Sequence, residues 1–412
     1  MKRTFTTIAC LLLLITGSSA WGQPAQVSTL ALQETLNANG GMVMGPDGLL
    51  YVSNFTRDAF SFGIADYGNK IYKVNPVDGS VELFVESSSF RGPFSIALDH
   101  DGNLLVTSVG FGVVSSVTPE GVVSSFAEPG GLVTGVAVAP DSSVFVAKCQ
   151  PTADRGLFKY LPNATEPVVF SLAECALGLT FDDDGNLYTS SQSGGVIRKY
   201  SPDGDDLGEV ASLASANSFL NHLTYSRIDS VLYVTATEDN TIWKVSLRDS
   251  SVNVLAGTGE PGTADGPAHL ASFNQPNGLV LSVTGDTLYV NQTLQDTPVN
   301  PNSIRMITGV LGASPVADED EAEVPEGFTL AQNYPNPFNP ATRIGFRLPQ
   351  AQHVTLTVYD LMGRPVATLV EGFKPAGPHE AVFDARALPS GVYVYRLEAE
   401  RFSRSKVMML LK

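Results

Sequence analysis

Charge is scarce in this chain of 412 residues, with Asp, Glu, Lys and Arg making up only 16%. Basic residues are scarcer still: 25 Lys and Arg face 42 Asp and Glu, a net charge of −17. A surface of that sign repels a phosphate backbone, which argues against a nucleic-acid partner. Cysteine is nearly missing, with 3 residues in all, so a small scaffold stapled by several disulfides is excluded. There is no Gly-x-Ser-x-Gly elbow, so a serine-hydrolase triad has no support. No apolar run approaches the ~20 residues needed to cross a bilayer as a helix, and no transmembrane segment is expected. What is present in quantity is 43% hydrophobic residues, 38 Gly and 26 Pro. That composition builds buried cores joined by many turns and excludes a disordered chain.

The charges are also unevenly placed. Residues 23–310 carry 13 basic and 30 acidic groups, residues 311–327 carry 6 acidic groups and no basic one, and residues 328–412 carry 10 basic and 6 acidic. Two composition shifts imply two folded parts joined by an acidic, solvated linker around Asp318–Glu321. The start of the chain has a different logic. Lys2 and Arg3 precede the apolar run Ile8–Ile15, and small residues follow at Gly17–Ala20. This order predicts a secretory signal peptide over residues 1–22, cleaved after Ala20 or Gly22. Cys10 stands before most of the apolar run, which is the wrong place for a lipid anchor.

One phrase recurs six times between residues 42 and 290: an apolar run, an Asp-Gly-type turn, and a second apolar run. The same position in the second run is Tyr51, Leu105, Phe145, Tyr188, Tyr233 and Tyr289, with steps of 54, 40, 43, 45 and 56 residues. Third and fourth runs follow each copy, as at Lys70–Val74 with Val81–Val85 and Thr241–Val245 with Val252–Leu255. A repeat of roughly 40–50 residues built from four short strands is the pattern of a β-propeller. The sixth copy has a third strand, Ser303–Ile307, but no fourth, while Val27–Leu32 precedes the first copy without a partner. Pairing the two closes the ring and removes its open edge. The expectation is an all-β chain with a six-bladed propeller over residues 23–310.

Leu255–Gly262, Asp265–Gly266 and Phe273–Leu279 resemble an NHL repeat, and the propeller as a whole resembles the SMP-30/gluconolactonase-like proteins. A lactonase-like site in such a fold is a divalent cation, calcium for example, held by acidic and amide oxygens at the channel mouth. On this resemblance Asn221 and Asn277 fall at ligand positions. The carboxylate expected on the first inner strand is missing, because that stretch reads Asn39–Gly40–Gly41. Loops that follow second strands or precede inner strands meet at one mouth. Among the residues there, Asn54, Lys148, Asn221, His222, Glu238 and Asn277 are the candidate ligand-binding groups. Of the five histidines only His222 is near the mouth, which excludes a multi-histidine zinc site. Asp99–Asn103 and Asp182–Asn186 have calcium-loop composition but also suit tight turns between strands. Cys149 and Cys175, the two cysteines left after signal removal, lie at adjacent blade ends and predict a disulfide in an oxidising compartment. The segment Ser53–Asn69, with Phe55, Phe60, Phe62 and Tyr67, is the largest insertion at the mouth.

The last part of the chain begins with Asn333–Tyr334–Pro335–Asn336–Pro337–Phe338 and continues through strand-like runs at Arg343–Phe346, Val354–Tyr359, His379–Phe383, Gly391–Leu397 and Lys406–Leu411. Short alternating strands over such a length predict a small β-sandwich. This opening motif, together with Val358–Gly363, Leu388–Tyr393 and the basic end Lys412, is similar to the type A sorting domains of the Bacteroidetes type IX secretion system. The resemblance implies an Ig-like fold over residues 328–412, recognition by the export machinery, and a secreted or outer-membrane-surface location reached through the periplasm. The function expected is binding of a small molecule, glycan or protein, and the alternative is a metal-dependent lactonase-like hydrolase.

Overall fold

The computed structural model describes residues 25–55, 68–149, 155–164, 166–171, 175–192, 194–213, 219–292, 303–311, 329–331, 333–336, 338–360, 365–389, 391–399 and 402–410. The expected signal peptide, the acidic run 318–321, the aromatics Phe60, Phe62 and Tyr67, and Lys412 lie outside these residues. The described chain is all strand and turn, and no helix in it is long and apolar enough to cross a membrane.

Among the described residues, the strands from Gln26 to Thr308 form six antiparallel sheets. The first holds Met42–Met44, Leu50–Ser53, Lys70–Val74 and Val81–Glu86; the second Pro93–Leu98, Leu104–Ser108, Val113–Val117 and Val123–Ala127. The third holds Val133–Val138, Val144–Lys148, Gly156–Tyr160 and Val168–Ser171; the fourth Ala176–Phe181, Leu187–Ser191, Val196–Tyr200 and Asp206–Ser212. The fifth holds Leu220–Ser226, Val231–Ala236, Thr241–Ser246 and Val252–Ala256. The sixth begins with Pro276–Leu281, Thr287–Gln292 and Ser303–Thr308. The first strand of each sheet touches the first strand of the next, and the sixth touches the first, as in a β-propeller.

The repeated sequence position explains the packing. Side chains alternate across a strand, so one face of each second strand looks at the next sheet. Tyr51 packs onto the second sheet, Leu105 onto the third, Phe145 onto the fourth, Tyr188 onto the fifth, Tyr233 onto the sixth and Tyr289 onto the first. Each joint is therefore a separate apolar core, with the repeated residue buried in it.

Two residues further along the same face stands a second repeated position: Ser53, Thr107, Ala147, Ser190, Thr235 and Asn291. Inner strands of the second to sixth sheets break register near their start, at Pro93/Ile96, Val133/Val136, Ala176/Gly178, Leu220/Leu223 and Pro276/Leu279. Such a bulge frees backbone groups from the ladder. The polar side chains take them up. Thr107 Oγ1 receives the Ser95 amide (2.9 Å) and donates to the Thr134 carbonyl of the third sheet (2.8 Å). Ser190 Oγ receives Gly178 N (2.9 Å) and donates to Asn221 O. Thr235 Oγ1 receives His222 N (3.2 Å) and donates to Asn277 O (2.7 Å). Asn291 receives Gly278 N (2.7 Å) and donates to Gly40 O (2.7 Å). Ala147 cannot do this, and Thr134 on the inner strand donates instead to Ala176 O at 2.7 Å. The remaining junction is backbone to backbone, Gly41 N to Phe94 O at 2.5 Å. Close approach is part of the arrangement: a Cβ on Gly178 would stand 2.6 Å from the Asn221 carbonyl oxygen.

Closure takes the expected form with shifted bounds. Gln26–Thr29 pairs antiparallel with Ser303–Thr308, and Leu30 N adds a bond to Ile304 O at 2.9 Å. It is not the outermost strand, because Gly266–Pro267 pairs on its far side. Asp265 fastens the three segments: it accepts from Thr29 N (3.1 Å), Thr29 Oγ1 (2.9 Å) and Arg305 Nη2 (2.7 Å). Arg305 is fully buried, and it also donates to Ser272 O (2.8 Å) and Ala264 O (2.9 Å) with its guanidinium over the Phe273 ring. Burial lowers the Arg305 pKa, against the pull of Asp265.

Beyond residue 328 two antiparallel sheets share one core that includes Leu330, Phe338, Phe346, Leu356, Tyr395 and Leu410. One sheet holds Thr329–Leu330, Ala341–Leu348 and Gly377–Asp384; the other holds Pro365–Lys374, Gln352–Tyr359, Gly391–Ala399 and Phe402–Leu410. Pro365–Lys374 is a strand that the sequence pattern does not reveal. It is an edge strand, half-exposed along its length, so its side chains lack clean alternation.

Thr235→Val keeps shape but leaves His222 N without an acceptor and Asn277 O without this donor. We expect a loss of about 2–4 kcal/mol in unfolding free energy, from two stranded buried groups at ~1–3 kcal/mol each. Denaturant unfolding measures it, and a loss below 0.5 kcal/mol would show that the relay between sheets is dispensable.

Candidate functional site

The mouth of the channel is built from the residues two places before the apolar start of each inner-strand ladder: Gly40, Phe94, Thr134, Leu177, Asn221 and Asn277. Phe94 of the second sheet and His222 of the fifth come from opposite sides of the ring, yet their ring centroids are 5.1 Å apart. The channel is therefore filled at this level. Phe55 packs edge-on against Phe94 at 5.0 Å, and Val109, Cys149 and Leu177 complete a buried apolar plug.

A polar chain runs beside the plug. Asn277 Nδ2 donates to Asn39 O, which places Asn277 Oδ1 toward His222 Nδ1 at 3.2 Å. An amide oxygen only accepts, so the imidazole carries its proton on Nδ1. Nε2 is then a bare acceptor and makes no hydrogen bond. Burial pushes the His222 pKa down to about 4, outweighing the Asn277 side chain and the Asn277 and Phe94 carbonyls, which favour the cation. Asn221 Nδ2 donates to Thr237 Oγ1 at 3.0 Å, and Asn221 Oδ1 and Asn39 Oδ1 are buried without partners.

The other expected mouth residues divide. Asn54 is buried and its amide donates to Asn37 O, a local strut. Lys148 is half-buried, donates to Pro129 O at 2.9 Å and lies 5.6 Å from the Phe158 ring centroid. Glu238 is exposed on the turn between the second and third strands of the fifth sheet. Cys149 and Cys175 are bonded, with Cα atoms 4.6 Å apart, and tie the third sheet to the fourth beside the plug. The Asp-rich segments act as turns. Asp99 accepts from Asp101 N, Asn103 N and Asn103 Nδ2 at 2.8–2.9 Å, and Asp182 accepts from Asp184 N, Asn186 and Tyr188 OH at 2.8–3.1 Å. Their oxygens already serve the chain's own donors.

A divalent cation needs several hard oxygens, anionic ones among them, to repay its lost hydration. Among the described residues no three His, Cys, Asp or Glu side chains converge. Asn277, one of the two expected ligands, is engaged at both ends of its amide, and Asn39 stands where a carboxylate is wanted. The residues at this mouth do not fit such an ion, and no hydrolytic step follows from them. Sequence reasoning placed Thr134 at the mouth but passed over Thr107, Ser190 and Thr235. Their signal was available as a small polar residue two places beyond the repeated aromatic.

Residues 332–410 match the secretion system C-terminal sorting domain, so this chain is exported by type IX secretion to the cell surface or beyond. No curated protein matches the chain in sequence. Among solved structures, an auxiliary nutrient binding protein from Bacteroides ovatus is 13% identical, with 69% of this chain and 76% of that one covered and a TM-score of 0.54. A gluconolactonase from Xanthomonas campestris is 14% identical over 70% of this chain and 91% of its own, with a TM-score of 0.53. A protein of unknown function from Bacteroides thetaiotaomicron is 15% identical over 69% and 76%, with a TM-score of 0.54. At these identities the likeness establishes the propeller fold.

Two measurements test the mouth. His222 is neutral in the fold and binds a proton more readily when unfolded, so stability is complete above pH ~6.5 and falls as pH drops toward 4. His222→Gln should flatten that slope; an unchanged acid profile would show that the ring is not held neutral by burial. Separately, the bond between Cys149 and Cys175 closes 26 residues of separation and is expected to contribute about 3 kcal/mol. Equal unfolding midpoints for the wild type and a Cys149→Ser/Cys175→Ser variant would refute this.

Proposed function

We propose that the chain is a six-bladed propeller displayed outside the cell as a binding or interaction module, carried there by an Ig-like sorting domain. The observation that carries this reading is the neutral, hydrogen-bonded mouth. Phe94 and Leu177 occupy positions around the channel end, Asn277 is engaged by His222 and Asn39, and carboxylates are missing from the described positions around them. Such a surface suits recognition by shape and hydrogen bonding of a small molecule, glycan or protein, while activation of water needs a charged group or a metal. Export of the chain agrees with a role at or beyond the surface.

A metal-dependent lactonase-like hydrolase is the second reading, and one atom favours it. Asn221 Oδ1 is buried, has no partner and stands at a ligand position of that resemblance. Metal analysis of the purified protein, joined to a screen of lactones and esters, separates the two. We expect less than one tenth of an equivalent of divalent metal and no turnover. A stoichiometric ion with lactone hydrolysis would replace the first reading with the second. For the tail, removal of residues 328–412 should leave the propeller in the periplasm, and undiminished surface delivery of that truncation would end the assignment of export to it.

A further inference from the structure

The opening motif of the sorting domain divides into buried and displayed residues. Asn333 is 2% exposed: its amide N–H donates to Tyr395 OH (2.8 Å), and its side chain donates to Pro335 O and Thr342 Oγ1 (both 2.9 Å). Phe338 is also 2% exposed and packs in the core against Phe383. Between these two anchors Tyr334 is 81% exposed. Its backbone is not loose, since Tyr334 N donates to Arg343 O (2.9 Å) and Arg343 N donates to Tyr334 O (3.1 Å). A large amphipathic ring on a backbone pinned at both ends loses little freedom when it is bound.

Its neighbours extend the display. Arg343 pairs with Tyr334 on one side and with Val382 on the other, and directly opposed residues project from the same face of a sheet. Val382 is 60% exposed, and the Arg343 guanidinium reaches Glu380 Oε1 at 3.0 Å in solvent. Phenol, guanidinium and isopropyl groups thus stand in one row on the outer face. Tyr and Arg are the side chains that most often carry binding energy at protein interfaces. This row also lies on a part of the chain opposite in charge to the propeller: residues 328–412 hold 10 basic and 6 acidic groups, against 13 and 30 in residues 23–310.

We infer that the row Tyr334–Arg343–Val382 is the surface by which the export machinery holds the sorting domain. The occupant is a protein component of that machinery, with an apolar pocket for the phenol ring and carboxylates beside it for Arg343. Asn333 and Phe338 keep the row in shape without touching the partner. The charge contrast lets an acidic receptor select the tail over its acidic cargo. The inference rests on the sorting-domain reading and adds to it the residues that are read.

The test uses the full chain in a bacterium with a type IX system, followed by cell fractionation and surface protease accessibility. Tyr334→Ala should lower the surface fraction about tenfold, with full-length protein accumulating in the periplasm and the unfolding midpoint of purified protein unchanged. Phe373→Ala removes an exposed ring from the other sheet, 71% exposed, and should be delivered as wild type. Tyr334→Phe should keep delivery, since it keeps the ring. Normal delivery of Tyr334→Ala overturns the inference, as does equal loss with Phe373→Ala. A dimer of purified protein that Tyr334→Ala dissolves while delivery persists would make the row a self-contact and overturn it too. In either case the truncation at residue 328 still reports on the sorting domain itself.

Discussion

A bulge at the head of an inner strand frees a carbonyl that its own sheet cannot use, and a hydroxyl or amide from the preceding sheet answers it. This exchange recurs around the ring, from Thr107 to Thr134, Ser190 to Asn221, Thr235 to Asn277 and Asn291 to Gly40. Apolar joints between sheets slide easily, because dispersion and burial have little direction. A buried acceptor has direction, and leaving one unpaired costs ~1–3 kcal/mol. The relay therefore sets the angle at which each sheet meets the next, while the repeated residues help fill the apolar joints between them.

The same requirement governs the mouth. Carbonyls turned toward the neighbouring sheet leave the side chains at those positions to face one another, and Phe94 and His222 meet across the ring. With that centre filled, the imidazole is buried, and burial keeps it neutral. Closure is a different problem, because the two paired segments are far apart in sequence. Asp265 and the buried Arg305 hold Gln26–Thr29 and Ser303–Thr308 together through charge-assisted bonds, which are directional and stronger than neutral ones.

The tail shows how a short motif can hold two roles at once. Asn333 and Phe338 face inward and shape the turn, while Tyr334 faces outward from between them. A linear motif does not distinguish the two. Only the strand pairing with Arg343 assigns each residue to a side.

Much of the architecture was legible in the residues. The spacing of Tyr51, Leu105, Phe145, Tyr188, Tyr233 and Tyr289 predicted the repeated sheets, and the unpaired run near Val27 predicted how the ring closes. Both are local: a two-residue period and a turn every dozen residues follow from backbone geometry alone. The edge strand Pro365–Lys374 was not legible, because half-exposed side chains leave no period to detect. Nor was the character of the mouth. The structure brings Asn277 onto His222 and sets Asn221 beside them, yet amides and imidazoles serve equally as metal ligands, ligand contacts or internal struts. Their role depends on what stands within about 3 Å, and those neighbours come from sheets as much as 238 residues away in the chain, as with Asn277 and Asn39. The sequence alone determined most of the strands, the repeat and the route out of the cell. Only the tertiary structure decided that the mouth is neutral and filled, because a hydrogen bond has direction and a partner, and neither is written in composition or spacing.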